Sequence, residues 1–342
     1  MGRVRATVIA EAGNVRGFAD RLSLQVTTAG DGLLHGSIAY SAPVQGTLLR
    51  LGAGYVSSRY EMGGALAALD VHGTMSTWRL RLSYPLLRAL PRPAGAAAED
   101  AKGALGGNGS RAGRSGGSAV SLRRLDGELV AERRELEDKA AGLSGEREMQ
   151  AVQLAARGSG EAWSGTVEFG VVVTAGRLHI LDGVERLLDR LTARTEGDFV
   201  KVFADLMHRR PLGRNLGLQV GVSGQWASKN LHSSEKFALG GARAVRAYGP
   251  GEASGDVGVV GSVELQGRLL QSAWRWAGFA DAGYVKLNKD PWQGGVNTRA
   301  LYGVGVGVIY AASSLELRLD YAVPVGSDGA RGRVAVSAAV RW

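Results

Sequence analysis

Cysteine is absent from the 342 residues, which in an oxidising compartment avoids unwanted cross-links. Proline is scarce, at 8 residues, so the chain is not of the Pro-rich disordered kind. No stretch approaches the roughly 20 consecutive apolar residues that a spanning helix requires. The mean hydropathy of -0.04 is likewise too low for a helical membrane protein. Neither absence excludes a membrane, because a membrane β-strand needs only about 10 residues with every second one apolar. No signal peptide is visible: Met1-Gly2-Arg3-Val4-Arg5 leads straight into strand-like sequence. An exported protein needs one, so the sequence reads as N-terminally incomplete. The five histidines, at 35, 72, 179, 208 and 232, are scattered with no HxxxH spacing, which gives no metal site. Gly113-Arg114-Ser115-Gly116-Gly117 matches the GxSxG nucleophile elbow in letters only. It lies in Gly/Ser-rich sequence without the preceding strand and following helix that the elbow needs. Basic residues give a net charge of +9, but they are strewn along the chain rather than clustered with aromatics, so nucleic-acid binding is not expected.

What the chain does have is glycine, 52 residues, and a hydrophobic fraction of 45% arranged with period two. Tyr302, Val304, Val306, Val308 and Tyr310 share one face, while Gly303, Gly305 and Gly307 lie on the other. Aromatics at both ends with valines between is the pattern of a strand crossing two membrane interfaces. Leu315, Leu317, Leu319 and Tyr321 alternate in the same way with Glu316, Arg318 and Asp320. So do Trp78, Leu80, Leu82 and Tyr84 with Arg79, Arg81 and Ser83. The polar faces carry Arg, Glu, Asp and Gln. A soluble β-sandwich would need its apolar faces to meet in one core, whereas a barrel in lipid needs only complete backbone pairing. The alternation therefore favours an all-β, transmembrane antiparallel β-barrel over residues 1–342.

The alternation predicts strands at 3–11, 20–29, 32–41, 46–59, 66–84, 120–137, 147–157, 162–175, 198–210, 214–228, 256–271, 273–287, 298–311, 313–324 and 331–342. That number is odd, while bacterial outer-membrane barrels are even. Counting parity from the short turns at 41–46 and 210–213 makes 3–11 a descending strand, so an ascending partner is expected before it. Residues 91–118 form a low-complexity insertion or loop of Pro, Gly, Ala and Ser. The dense charge of 125–148 admits a helix over 126–141 or a strand with a polar tip. Leu181, Val184, Leu187, Leu188 and Leu191 have helical spacing, which predicts a short helix in an extracellular loop.

Between two predicted strands lies a Gly-rich connection far longer than a hairpin requires. It holds Phe237, Leu239, Val245 and Tyr248, which is not the composition of a solvated linker. Inside a barrel the place available to such a segment is the lumen, so 228–256 is expected to fold inward. Its motif residues are Leu239-Gly240-Gly241, Val245-Arg246-Ala247-Tyr248, Gly251-Glu252 and Gly255-Asp256, followed by Glu264-Leu265. On the strand at 273–287, Trp274, Trp276, Ala280, Ala282 and Tyr284 form the outer face, which leaves Phe279, Asp281 and Gly283 facing the lumen. A lumenal carboxylate opposite a loop bearing Arg246 invites a charge-assisted contact.

These segments resemble the sixth-loop motif and the Phe-x-Asp-x-Gly motif of two-partner secretion transporters, the hemolysin and adhesin secretion/activation family. Thr195-Glu196-Gly197-Asp198-Phe199, Gln225-Trp226-Ala227, Asn230-Leu231 and the terminal Trp342 agree as well. The resemblance implies a barrel of sixteen strands preceded by a plug helix and two POTRA domains, none of which these residues contain. It implies export of one large unfolded exoprotein of the hemolysin or adhesin type without a cofactor or enzymatic step. It also implies residence in outer-membrane lipid, insertion by the barrel assembly machinery, and an assembly signal at Trp342. Under it, Arg246 pairs with Asp281 and holds the loop in a transport-competent position. An outer-membrane protein assembly insertase is the nearest alternative, since such proteins share the loop motif and the Asp-bearing strand. A passive porin is the next, and it leaves the 235–265 motif unexplained.

Overall fold

The computed structural model of the chain describes residues 6–28, 32–61, 72–89, 121–140, 143–269, 273–313, 315–326 and 332–340. The segment 91–118 and Trp342 lie outside these residues. In chain order the strands are β1 (Ala6–Gly13), β2 (Arg21–Thr28), β3 (Leu33–Pro43), β4 (Arg50–Glu61), β5 (His72–Arg88), β6 (Ser121–Ala140), β7 (Leu143–Ala162), β8 (Gly165–Ile180), β9 (Gly197–Pro211), β10 (Leu216–Ala227), β11 (Phe237–Ala238), β12 (Ser254–Gly255), β13 (Val257–Arg268), β14 (Trp274–Lys286), β15 (Thr298–Ala311), β16 (Leu315–Pro324) and β17 (Arg333–Val340). Helix α1 (Gly183–Leu191) joins β8 to β9.

Fifteen of these strands form one antiparallel sheet, each pairing with the next, with β10 passing over β11 and β12 to pair with β13. All fifteen expected strands are present. Of the expected strand 66–84, residues 66–71 lie outside the described residues, and β5 continues to Arg88; β7 spans 143–162 rather than 147–157, and β8 runs on to Ile180. Alternation continues in β6 and β7 past the apolar stretch, so nothing in the pattern stops the pair early. The charged run takes the strand form: Glu132, Arg134 and Leu136 of β6 are buried on one face, while Arg133 and Glu135 are exposed on the other. Among the described residues no pairing joins β1 to β17.

The outward face follows the period-two reading. Trp78, Leu80, Val152, Leu154, Trp274, Tyr302, Val306 and Val336 are all exposed. A wall of solvent-exposed apolar side chains ringed by aromatics is the outer surface of a barrel in lipid. Among the described residues no helix is long and apolar enough to cross a membrane, which does not bear on strands.

The sheet curls around the long connection. Glu235 pairs with Arg134 of β6, and a Cβ on Gly283 of β14 would run into Leu239. In a flat sheet those two strands lie six positions apart, or roughly 29 Å at about 4.8 Å per step. Residues 235 and 239 are separated by at most about 14 Å of chain. One short stretch reaches both strands because the sheet closes around it as a barrel.

Candidate functional site

The connection 228–256 is fixed at its base before it enters the lumen. Gln225, near the end of β10, donates to the carbonyls of Glu235 (3.0 Å) and Asp256 (3.3 Å). Asp256 is fully buried. Its carboxylate accepts from the amides of Leu231 (3.1 Å) and Lys289 (2.7 Å) and pairs with Lys236 Nζ at 3.3 Å. Asn230 donates to the carbonyls of Ala193 (2.7 Å) and Asp290 (2.8 Å) and accepts from the Asp290 amide (2.8 Å). Three loops at the same end of the barrel are thereby joined.

A single 3-10 turn, Ser233–Glu235, follows. Its last residue reaches across the lumen to Arg134 (2.5 Å) and to Lys201 of β9 (2.7 Å). Burial alone would raise the Glu235 pKa, but the charges of Lys201 and Arg134 more than offset it and hold the carboxyl below its usual range. His232 caps the turn, its Nδ1 accepting from the Ser234 amide. Burial, helped by the nearby Arg147 cation, pushes its pKa down to about 4, against the opposing pull of Asp138 and Glu235.

The tip of the connection is an apolar clamp around one arginine. β11 pairs with β12, and Gly240 bridges Val245, so the segment doubles back on itself. Gly240 admits no side chain, since a Cβ would collide with the Gly249 carbonyl. Gly241 takes a φ of 117°, a region that side chains avoid. Leu239 and Val245 are fully buried and pack with Phe237, Ala253, Val260, Val285 and Leu301. Gly283 is the flat spot on β14 that receives Leu239 and Val245. Ala247 packs on Phe279 and Ala322 with Tyr248 beside them, and Gly303 provides the space for its methyl group.

Between these apolar contacts Arg246 lies flat on the wall. Its guanidinium sits 3.4 Å above the Phe279 ring. Nε and Nη2 each donate at 2.8 Å to the two oxygens of Asp281, a bidentate fork, and the backbone amide adds a third bond at 3.1 Å. Nη2 also donates to Ser262 Oγ at 3.0 Å, and Nη1 meets Glu264 at 2.5 Å. Glu264 is in turn gripped by Arg318 of β16 at 3.0 and 2.9 Å, and Arg318 reaches Asp320 at 2.7 Å. The side chains of Asp281 and Glu264 are 0% and 3% exposed, so both charges depend on these cations. The sequence reading paired Arg246 with Asp281 alone. The structure brings those two together and adds Glu264 and Arg318, so that two cations serve three carboxylates. The period-two pattern of β16 had already turned Arg318 and Asp320 inward. What it could not show is that β16 lies within reach of β13.

The remaining motif residues have smaller roles. Glu252 pairs with Arg299 at 2.8 Å on the exposed side of the loop, and Gly251 makes a turn with φ 80°. Gly255 lies against the Lys286 carbonyl, where a Cβ would clash. A cavity of 670 Å³ separates the loop from β9, β10 and β17; Asp205, Ser223, Arg243, Arg246, Glu264 and Arg318 are among its lining. Among the described residues no group of His, Asp and Glu is arranged to hold a metal ion.

Residues 189–333, which hold the loop, the arginine and its carboxylates, match the Omp85 superfamily domain. The chain is 24% identical over 339 residues to the heme/hemopexin transporter protein HuxB of Haemophilus influenzae, a match covering 96% of this chain and 54% of that protein. The chain thus spans about half the length of the curated relatives it matches. Among solved structures, CdiB from Escherichia coli superposes with a TM-score of 0.73 at 17% identity, over 98% of this chain and 59% of that one. CdiB from Acinetobacter baumannii gives 0.65 at 17% identity, over 98% and 55%. BamA from Haemophilus ducreyi lacking POTRA domains 1-3 gives 0.63 at 10% identity, over 99% and 68%. At these identities the structural likenesses establish the fold. With the HuxB relationship, the resemblance to two-partner secretion transporters read from 239–283 is borne out.

Proposed function

We propose that this chain forms the outer-membrane barrel of a two-partner secretion transporter that passes one large, unfolded exoprotein through its lumen. The observation that carries the reading is the Arg246 network. A loop that merely fills a pore has no need of a buried fork to Asp281, a second carboxylate at Glu264 and a second cation at Arg318. Such a network costs desolvation and returns a fixed position, which is what a loop bordering a conducting path requires. The cavity beside the loop sets charged groups, Asp205, Arg243, Arg246, Glu264 and Arg318, among apolar ones such as Phe203 and Val260, a mixed surface that an extended polypeptide can slide along. No chemical step is involved, and folding of the exported chain outside the cell supplies direction. Outer-membrane lipid surrounds the exposed belt, and the barrel assembly machinery inserts it with Trp342 as part of the assembly signal. The cargo proposed here is a large exoprotein of the hemolysin or adhesin type, encoded nearby.

The test is export of that neighbouring exoprotein by cells carrying the gene in its genomic context. Arg246→Ala and Asp281→Ala are expected to reduce secretion at least tenfold while heat-modifiable, folded barrel stays at the normal level in the outer membrane. Wild-type secretion by both variants overturns the reading. General loss of outer-membrane proteins on deleting the gene, with the exoprotein unaffected, would instead assign the assembly-insertase role.

A further inference from the structure

Helix α1 is amphipathic in the reverse sense. At about 100° per residue, Val184, Leu187, Leu188 and Leu191 fall within one arc of the helix. Glu185, Arg186, Asp189 and Arg190 occupy the opposite arc. On a water-soluble surface the apolar arc packs on the core and the polar arc faces out. Here the polar arc is the one bound to the protein. Glu185 accepts from Arg147 Nε at 2.6 Å, and Arg186 donates to the Ile180 carbonyl at 2.9 Å and pairs with Glu196 at 3.2 Å. Asp189 accepts from the Thr195 amide and hydroxyl and from the Glu196 amide, at 3.0, 2.7 and 3.0 Å. The apolar arc faces away: Val184 is 71% exposed, Leu187 58%, Leu188 57% and Leu191 70%, with Leu181 beside them at 54%. Asp182 caps the helix by accepting from the Glu185 amide at 2.8 Å, so its orientation is set at both ends.

We infer that α1 lies in the headgroup layer of the outer leaflet, its leucines dipped toward the acyl chains, and pins the rim of the barrel to the lipid surface. This rests on the reading of the wall as lipid-facing. Two observations select lipid as the occupant. First, the patch continues that wall: Val171 and Val173 of β8 and Val200 of β9, the strands on either side of the helix, are exposed on the outward face. Between them and the helix stands the exposed Arg177–Asp198 pair, charged groups suited to the headgroup level. Second, Arg194 is exposed just past the end of the helix, a cation placed to meet a lipid phosphate. A protein partner fits less well. The helix is 9 residues long, about 13 Å, and its face falls well short of the roughly 800 Å² per side that a stable protein interface buries. Through Ala193, whose carbonyl accepts from Asn230, a lipid-anchored α1 also fixes the base of the lumenal loop.

The absence of cysteine makes the test direct. Leu187→Cys, Arg190→Cys and Val173→Cys are each labelled with an environment-sensitive fluorophore in the full chain. The proteins are then reconstituted in vesicles of phosphatidylethanolamine and phosphatidylglycerol in equal parts. Lipids carrying a nitroxide near the headgroup are expected to quench the Leu187 probe several-fold more than the Arg190 probe, and aqueous iodide should show the reverse order. A Val173 probe quenched by lipid together with a Leu187 probe quenched only by iodide overturns the inference and leaves the barrel reading standing. An unquenched Val173 probe overturns both. Leu187 quenching that depends on protein density rather than on nitroxide lipid assigns the face to a second copy and likewise overturns it.

Discussion

The two sides of the lumen differ in chemistry. Under the loop, β13, β14 and β16 turn Ser262, Glu264, Phe279, Asp281, Arg318 and Asp320 inward, and most are committed to one another or to Arg246. On the other side the register of β2, β3 and β4 places Ser23, Ser37, Ala39, Gly52 and Gly54 on the middle of the inner face, small and uncharged, with Arg21, His35 and Arg50 toward the strand ends. The first wall holds something still. Between its charged ends, the second offers a passing chain small, uncharged side chains and little apolar surface to cling to. The difference teaches that a barrel can divide its inner circumference, using buried ion pairs where position must be fixed and serine, glycine and alanine where contact should be weak.

The comparison breaks most sharply at Arg246. Arg246→Ala leaves Asp281 and Glu264 buried beside fewer cations and is expected to weaken loop docking by about 3–5 kcal/mol. Hydrogen exchange of the amides in 237–256 reports it, and unchanged protection would erase the distinction between the walls. Arg246→Lys keeps the charge but not the fork, so only partial protection should return. Next in size is Gly283→Val, which pushes a side chain into the seat of Leu239 and Val245. A loss of about 1–3 kcal/mol is expected, read as a lower melting temperature in detergent. Ser37→Ala on the opposite wall should stay within about 0.5 kcal/mol. Equal effects from the two would mean that both walls are packed alike.

The smallest effect is pH-dependent and concerns the link between the two sides. His232 titrates near 6.5 when the loop is undocked and about 4 when docked, so the docked loop favours the neutral ring. Its contribution is therefore complete above about pH 6.5 and is lost as pH falls toward 4. Exchange of the Leu231 and Glu235 amides should quicken over that interval, and His232→Gln should flatten the response. Because His232 is only partly buried, the change should be smaller than that of Gly283→Val. No pH response in the wild type would show that the ring is not confined by the docked loop.

Much of this architecture was legible in the sequence because strand faces depend on a local rule. Tyr302 to Tyr310 announces which residues point outward before any neighbour is known. Helix α1 was legible for the same reason, since Val184, Leu187, Leu188 and Leu191 share a helical spacing. The face that α1 turns to the barrel was not legible. That choice is made by Arg147 and Glu196, which lie outside the helix. Likewise Asp281 was placed opposite the loop by parity and motif, whereas Arg318 was read only as an inward charge. Its contact with Glu264 spans 54 residues of sequence.

By itself, then, the sequence determined the period-two walls, the inward turn of Phe279, Asp281 and Gly283, and the glycines that let the loop double back. Each follows from backbone geometry within a few residues. The tertiary structure decided which charges meet: Arg246 with Glu264 as well as Asp281, Arg318 with Glu264, and Glu235 with Arg134 across the lumen. Those pairs depend on how far the sheet curls, a property of all fifteen strands together, and no local pattern encodes it.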